Sequence, residues 1–180
     1  MESTDDSGGS ASRLYLIRHA KAGSREGWTG PDLERPLTDK GERQADAISE
    51  EIFVRDGSRL FRVLTSPAVR CRDTVRPLAK RTGLEAEEVP WLLEGSDPAA
   101  ALGHLGRIVG ALGASPVARA PGEVVAACTH GDIVWGVLDY LARSGVELGH
   151  QPDAPKGGVW VLDYEGHEVA NADLLPPPER

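Results

Sequence analysis

A surplus of positive charge is what this sequence most plainly lacks. Its 20 lysines and arginines stand against 28 aspartates and glutamates, a formal net charge of -8. No broad basic face for nucleic acid or an anionic membrane is therefore expected, and neither is taken as a partner. A small anionic ligand is not excluded, because charges more than about 8 Å away are largely screened at physiological salt and a local group of arginines outweighs a distant acidic surface. Also missing is any run approaching the roughly 20 apolar residues that a membrane-spanning helix needs. The opening "MESTDDSGGSAS" is acidic and small, with neither the basic nor the apolar stretch of a secretory signal. Cysteine is scarce as well. Cys71 and Cys128 are the only two in the chain, they form no spaced framework, and they read as free thiols of a reducing compartment. A cytoplasmic location follows as an expectation.

What is present is an ordinary globular balance, 40% apolar and 27% charged over 180 residues, enough for one domain with a real core. The expected organisation is a disordered arm over 1–12, a domain over 13–170 and a loose tail over 171–180. Within the domain, short β-type runs alternate with helical stretches. "RLYLIR" reads as a first strand. "LTDKGERQADAISEEIFV" reads as a helix capped by Thr38, with Ala45, Ile48 and Ile52 on one face. "RLFRVLTS" is a second strand. "SPAVRCRDTVRPLAKRTG" reads as a helix with Ser66 as cap, Pro67 at its first position and Gly83 past its end. "LEAEEVP" is a short extended run. "SDPAAALGHLGRIVGALG" reads as a helix with Leu102, Leu105, Ile108, Val109 and Leu112 on its apolar side. "GEVVAACTH" is a buried strand, "GDIVWGVLDYLARSG" a helix and "GGVWVLDY" a last strand.

This alternation predicts a three-layer α/β fold, with a mainly parallel sheet and helices on both faces. In such sheets ligands sit beyond the carboxyl ends of the strands. Three of those ends carry Arg18-His19, Thr65-Ser66 and Thr129-His130, and Arg70 lies one turn into the helix after the second. Arg18, His19, Arg70 and His130, four groups suited to an oxyanion, are thereby expected to converge on one edge of the sheet.

With those strand ends in view, the chain resembles the histidine phosphatase superfamily, in the branch related to phosphoglycerate mutase. "LIRHA" is similar to the family's Arg-His-Gly strand end. "RPLTDKGERQA" is similar to its Leu-Thr-x-x-Gly-x-x-Gln-Ala helix start, "LTSPAVRCRDTV" to its Ser-Ser-Pro-x-x-Arg-x-x-Gln-Thr segment, and "CTHGDIV" to its second-histidine strand end. The opening "RHAKAG" and the compact length are most similar to SixA-like phosphohistidine phosphatases and to the phosphatase domain fused behind some Nudix hydrolases. No Nudix motif is visible. Ala20 stands where the family has glycine, and Asp73 where glutamine is common.

The resemblance implies a metal-independent phosphatase in which His19 is the nucleophile. A neutral imidazole nitrogen attacks phosphorus and forms a phosphohistidine, which water hydrolyses. The other ring N–H is then expected on a neighbour such as a backbone carbonyl. Arg18 and Arg70 match the phosphate-binding arginines. His130 matches the second histidine, with Gly131 opening the next helix beside the same anion. Glu94 falls where many members carry the acid for the leaving group, with Asp132 a weaker second choice. Lys21 and Arg25 are placed to meet a second phosphate or an acidic partner, or else to lie in solvent. Trp28 either stacks on a ring or anchors its loop, and Trp91, Trp135 and Trp160 read as core or semi-core. A metal site of His19, His130 and Asp132 is disfavoured by the arginines crowding the same place, and no cofactor is expected. The expected substrate is phosphohistidine on a signalling protein. The alternatives are a small-molecule or nucleotide phosphate ester with Glu94 as acid, and a non-catalytic phosphate-binding module.

Overall fold

A computed structural model describes residues 11–111 and 122–179. Seven strands form one sheet: β1 (Ser12–Arg18), β2 (Leu60–Thr65), β3 (Ala86–Glu88), β4 (Val124–Thr129), β5 (Glu147–Leu148), β6 (Val159–Glu165) and β7 (Glu168–Leu175). Four helices accompany them: α1 (Asp39–Asp56), α2 (Val69–Thr82), α3 (Pro98–Ala111) and α4 (Gly131–Arg143). The strand order is β3-β2-β4-β1-β6-β7-β5. β1 pairs parallel with β4, and β2 parallel with both β3 and β4. β6 runs antiparallel to β1 and to β7, and β5 parallel to β7.

Alternation along β1 divides the core between two layers, as a pleated strand requires. Leu14 and Leu16 pack with Leu105 and Val109 of α3 and Ile133, Val137 and Leu138 of α4. Tyr15 and Ile17 point to the opposite face, against Ile48 and Ile52 of α1 and Val75 and Leu78 of α2. The three-layer α/β expectation describes this arrangement, with β1 and β4 at its centre.

The carboxyl end of β1 is tied down by α1. Thr38 caps that helix, its Oγ1 accepting from Gly41 N at 3.1 Å and donating to the Lys21 carbonyl at 3.1 Å. A Cβ on Gly41 would run into the same carbonyl oxygen. Glycine in "LTDKGERQA" is therefore what lets the helix sit against the loop that follows His19.

Four expectations need correction. Helix α2 starts at Val69 with Ala68 at its cap and no side-chain cap bond. Ser66 and Pro67 precede it, the Ser66 hydroxyl accepting from Ala68 N at 3.3 Å ahead of the helix and also meeting His130; Gly83 ends the helix in the left-handed region at φ 70°. The last strand is β7 rather than β6, and it runs through the tail expected from residue 171. Only Ala172 of its eight residues is fully buried, which leaves little apolar signal. Residue 12, assigned to the arm, opens β1. Trp135 is 47% exposed, unlike Trp160 at 1%. Residues 1–10 of the arm, Leu112 and Arg180 lie outside the described residues. No helix among the described residues is long and apolar enough to cross a membrane.

Candidate active site

Strand register brings the site together. Arg18 pairs with Thr129 across β1 and β4, and Thr65 with Cys128 across β2 and β4. The next backbone bonds, His19 N to Thr129 O at 3.0 Å and Ser66 N to Cys128 O at 2.9 Å, carry the three strand ends on to His19, Ser66 and His130. The rings of His19 and His130 meet edge-on, 5.5 Å between centroids.

His19 is 5% exposed. Its Nδ1 lies 2.8 Å from the Ala20 carbonyl oxygen. A carbonyl only accepts, so the ring proton sits on Nδ1 and the Nε2 lone pair is free. Burial, opposed by that bond and reinforced by the charges of His130, Arg70 and Arg18, pushes the imidazole down to about 3, so it stays neutral. Ala20 is held in turn: its N–H donates to Thr74 Oγ1 at 3.0 Å, and that hydroxyl donates to the Arg70 carbonyl at 2.6 Å. The methyl of Ala20 is fully buried beside Ala22, Leu37 and Ala45, so alanine at the family's glycine position packs into the base of the loop.

His130 is clamped on both nitrogens. Nε2 lies 2.8 Å from Ser66 Oγ, and Arg70 Nη2 lies 3.4 Å from Nδ1. A guanidinium only donates, so this pairing takes the tautomer with the proton on Nε2, directed at Ser66. Ser66, read from sequence as a helix cap, is thus a holder of the second histidine. Cys71 Sγ sits 3.6 Å from the same Nε2, and both cysteines are free and buried.

Arg70 is 1% exposed, yet its fork faces acceptors. Nη1 donates to the Asp32 carbonyl at 2.9 Å, and Nη2 to Asp32 Oδ2 at 3.1 Å and Glu94 Oε2 at 3.4 Å. Arg18 donates through Nη1 to the Ala154 carbonyl. Its guanidinium lies over Gly131, where a Cβ would come within 2.8 Å of Arg18 Cζ. The glycine that opens α4 makes room for the arginine. The Nε groups of Arg18 and Arg70 are both buried without an acceptor among the described residues, an arrangement that favours an acceptor-rich anion.

Glu94 reaches the site because its loop is pinned twice: Thr129 Oγ1 donates to Leu92 O at 2.7 Å, and Gly95 N donates to Asp132 Oδ2 at 2.7 Å. Asp132, weighed as an acid, is engaged in holding that loop. The outer rim is a chain of alternating charge, with Arg25 bonded to Glu94 at 2.5 Å and to Asp32 at 3.3 Å, and Arg35 to Asp32 at 3.0 Å. Burial acts to raise the Asp32 carboxyl, but the bond from Arg35 and the charges of Arg70, Arg35 and Arg25 hold it below the usual carboxylate range. Arg25, Trp28, Gly30, Asp32 and Glu94 line an open cleft of about 440 Å³. Trp28 is tied by its indole N–H to the Pro31 carbonyl at 2.9 Å. Lys21 is exposed at the rim, its backbone N–H bonded to Gln44 Oε1 at 3.0 Å.

Every residue singled out at the strand ends therefore meets its partners here. Thr74, Asp32 and Gln44 were not singled out, and Ser66 and Thr129 were named only as strand-end residues, Ser66 also as a helix cap. A Ser-Pro pair before a helix looks like a cap, and Asp32 sits in a loop whose position no local pattern gives.

A profile of the histidine phosphatase superfamily (branch 1) matches residues 14–96. The 8-oxo-(d)GTP phosphatase of Mycolicibacterium smegmatis is 29% identical over 169 residues, which cover 92% of this chain and 48% of that protein. The chain thus spans about half the length of this curated relative. The structure of the protein histidine phosphatase SixA with tungstate superposes with a TM-score of 0.68 at 18% identity, over 91% of this chain and 94% of that one. A mycobacterial glucosyl-3-phosphoglycerate phosphatase superposes with a TM-score of 0.63, also at 18% identity, over 91% and 97%. Ordered motifs, the profile over residues 14–96 and the fold thus all make the chain similar to the histidine phosphatase superfamily.

Proposed function

We propose that the protein is a phosphatase that passes a phosphoryl group to His19 Nε2 and then to water. The observation that carries this reading is the His19 ring, whose proton is held on Nδ1 by the Ala20 carbonyl while burial keeps Nε2 unprotonated. The Nε2 lone pair forms the N–P bond as the bond from phosphorus to the leaving oxygen breaks. Arg18 and Arg70 take the charge on the equatorial oxygens, and His130, its ring fixed by Ser66 and Arg70, lines the same site. Glu94 gives its proton to the leaving oxygen. Water then attacks phosphorus, the N–P bond breaks, and Glu94 recovers the proton.

The substrate class that the geometry supports best is a phosphate ester or anhydride of a small molecule. Glu94 lies beside Arg70, where phosphate binds, and so within reach of the leaving group. The open cleft that Arg25, Trp28, Gly30, Asp32 and Glu94 line lies beside Arg70, and the curated relative is named for a nucleotide. Phosphohistidine on a protein remains the second reading, because the mouth is open: Arg25, Asp32 and Glu94 are all substantially exposed there, so a protein-borne imidazole can enter. Two free, buried thiols fit the cytoplasmic location expected from sequence.

Quenching turnover into alkali should leave the phosphoryl group on His19, located by mass spectrometry of the peptide spanning 14–24. Attachment at Ser66 or Cys71, or no phosphoenzyme under single-turnover conditions, contradicts the mechanism. Glu94→Gln separates the substrate readings. Loss of the acid should lower kcat on nucleotide and para-nitrophenyl esters by about 10² or more, yet change turnover of a phosphohistidine peptide little, since a departing imidazole is easily protonated. Equal losses on both classes would count against Glu94 as the acid.

A further inference from the structure

The charges around the cleft mouth are unevenly balanced. Arg25, Arg35 and Arg70 are each paired with Asp32 or Glu94. Lys21 and Lys156 have no carboxylate within ion-pair distance among the described residues. Lys156 was not singled out from sequence. It stands immediately before Gly157, whose N–H donates to the carbonyls of Arg18 at 3.2 Å and His19 at 3.1 Å. The lysine is thus fastened by its own backbone neighbour to the nucleophile's strand end. Gly157 also packs on Gln44, the residue that holds the Lys21 backbone. The acid nearest in sequence, Asp153, turns its carboxylate to the Ala154 N–H at 2.7 Å. Both lysine side chains are exposed.

Lys156 feels Arg18, Arg35, Lys21 and Arg70 together. Burial first, and then the charges of Arg18, Arg35, Lys21 and Arg70, lower its proton affinity. Such crowding is unfavourable in the empty protein, and an anion relieves it. The phosphate that meets Arg18 and Arg70 accounts for those two arginines and leaves the lysines over.

We propose that Lys21 and Lys156 form a second anion subsite beside the nucleophile, which takes a second phosphoryl group on the substrate. The class is a molecule with two neighbouring phosphoryl groups, as in a nucleoside diphosphate. The terminal one lies between Arg18, Arg70 and the two histidines, and the inner one meets the lysines. This deepens the phosphatase reading and rests on it for the identity of the first subsite.

Calorimetric titration tests the subsite without turnover, using pyrophosphate against orthophosphate. The intact protein should bind pyrophosphate about tenfold or more tightly than orthophosphate, the effect of one charge-assisted contact, and the preference should shrink as salt is raised. In the Lys21→Ala, Lys156→Ala double variant the preference should fall to within about twofold, with orthophosphate affinity little altered. Equal affinity for both anions in the intact protein overturns the proposal, and so does a preference that survives the double substitution. Turnover of adenosine diphosphate against adenosine monophosphate is the second arm. If neither is hydrolysed while the lysine-dependent pyrophosphate preference holds, the reading of a nucleotide as substrate fails and the anion subsite stands.

Discussion

His19→Ala is expected to lower kcat by about 10⁴- to 10⁶-fold on every substrate, the scale on which removal of a covalent nucleophile acts, and to abolish the alkali-stable phosphoenzyme. No neighbour is placed to take over. His130 has its nitrogens engaged by Ser66 and Arg70, and Ser66 Oγ is occupied with His130. The same residue governs two pH effects. Because the folded imidazole is held at about 3, Nε2 stays unprotonated in the free enzyme throughout the working range. The acid limb of kcat/KM should therefore show no titration of His19 near 6.5, and should follow the phosphate's own second ionisation, near about 6. Stability moves the other way. An unfolded histidine titrates near about 6.5, so on acidification the unfolded chain takes up a proton that the folded one refuses. His19 thus makes the fold less stable as pH falls through 6.5 toward 3. Thermal melts at pH 7.5 and pH 5 should show His19→Ala losing less Tm on acidification than the parent. Kinetics read at saturating substrate would decide the first claim: a variant within a hundredfold of the parent removes His19 from the nucleophile's role.

The parts of this site that could be read from sequence share one property: their positions follow from local pattern plus a topological rule. Arg18, His19 and His130 end apolar runs, and a parallel sheet aligns such ends. Arg70 follows at a fixed step because a helix begins just after Thr65-Ser66. Glu94 came only through the family resemblance, since what places it is a pair of bonds from Thr129 and Asp132 that no spacing records. Asp32 and Lys156 were invisible for a similar reason. Each lies in an irregular segment carried to the rim by tertiary contacts, Asp32 against Arg70 38 residues away and Lys156 by the bonds of Gly157 to β1. Ser66 was visible but misread: its hydroxyl meets Ala68 N ahead of the helix and also His130 Nε2, and no local pattern shows the second contact. In the fold, β7 escaped because an edge-side hairpin strand with one fully buried residue, followed by three prolines, looks like a tail. Its turn does carry a signal, Gly166 at φ 63°, between two strands of the antiparallel half of the sheet.

Arg70→Lys should lower kcat by about 10³-fold on esters and phosphoramidates alike, within the range that a transition-state arginine supplies, and should weaken orthophosphate binding. Charge is retained in this variant, so the loss would come from geometry. Arg70 presents a fork that spans Asp32 O, Asp32 Oδ2 and Glu94 Oε2 at 2.9 to 3.4 Å. Those acceptors mark where phosphoryl oxygens can be met by paired N–H groups once substrate displaces the carboxylates. A lysine ammonium is a single point on a longer flexible stem and cannot repeat that pairing. It also cannot keep the contact to His130 Nδ1 while serving a phosphate. The fold should survive, because Asp32 keeps Arg25 and Arg35 as partners and the positive charge in the buried site is conserved. Tm is therefore expected to change far less than kcat. Arg72→Ala is the matched control: two residues on, its guanidinium is exposed and paired with Glu88 at 3.0 Å, and an exposed pair of this kind contributes about 0–1 kcal/mol. Activity within twofold of the parent is expected there. If Arg72→Ala cost as much as Arg70→Lys, the phosphate would have to be sought on the outer face of α2, and the convergence of strand ends would lose its fourth member.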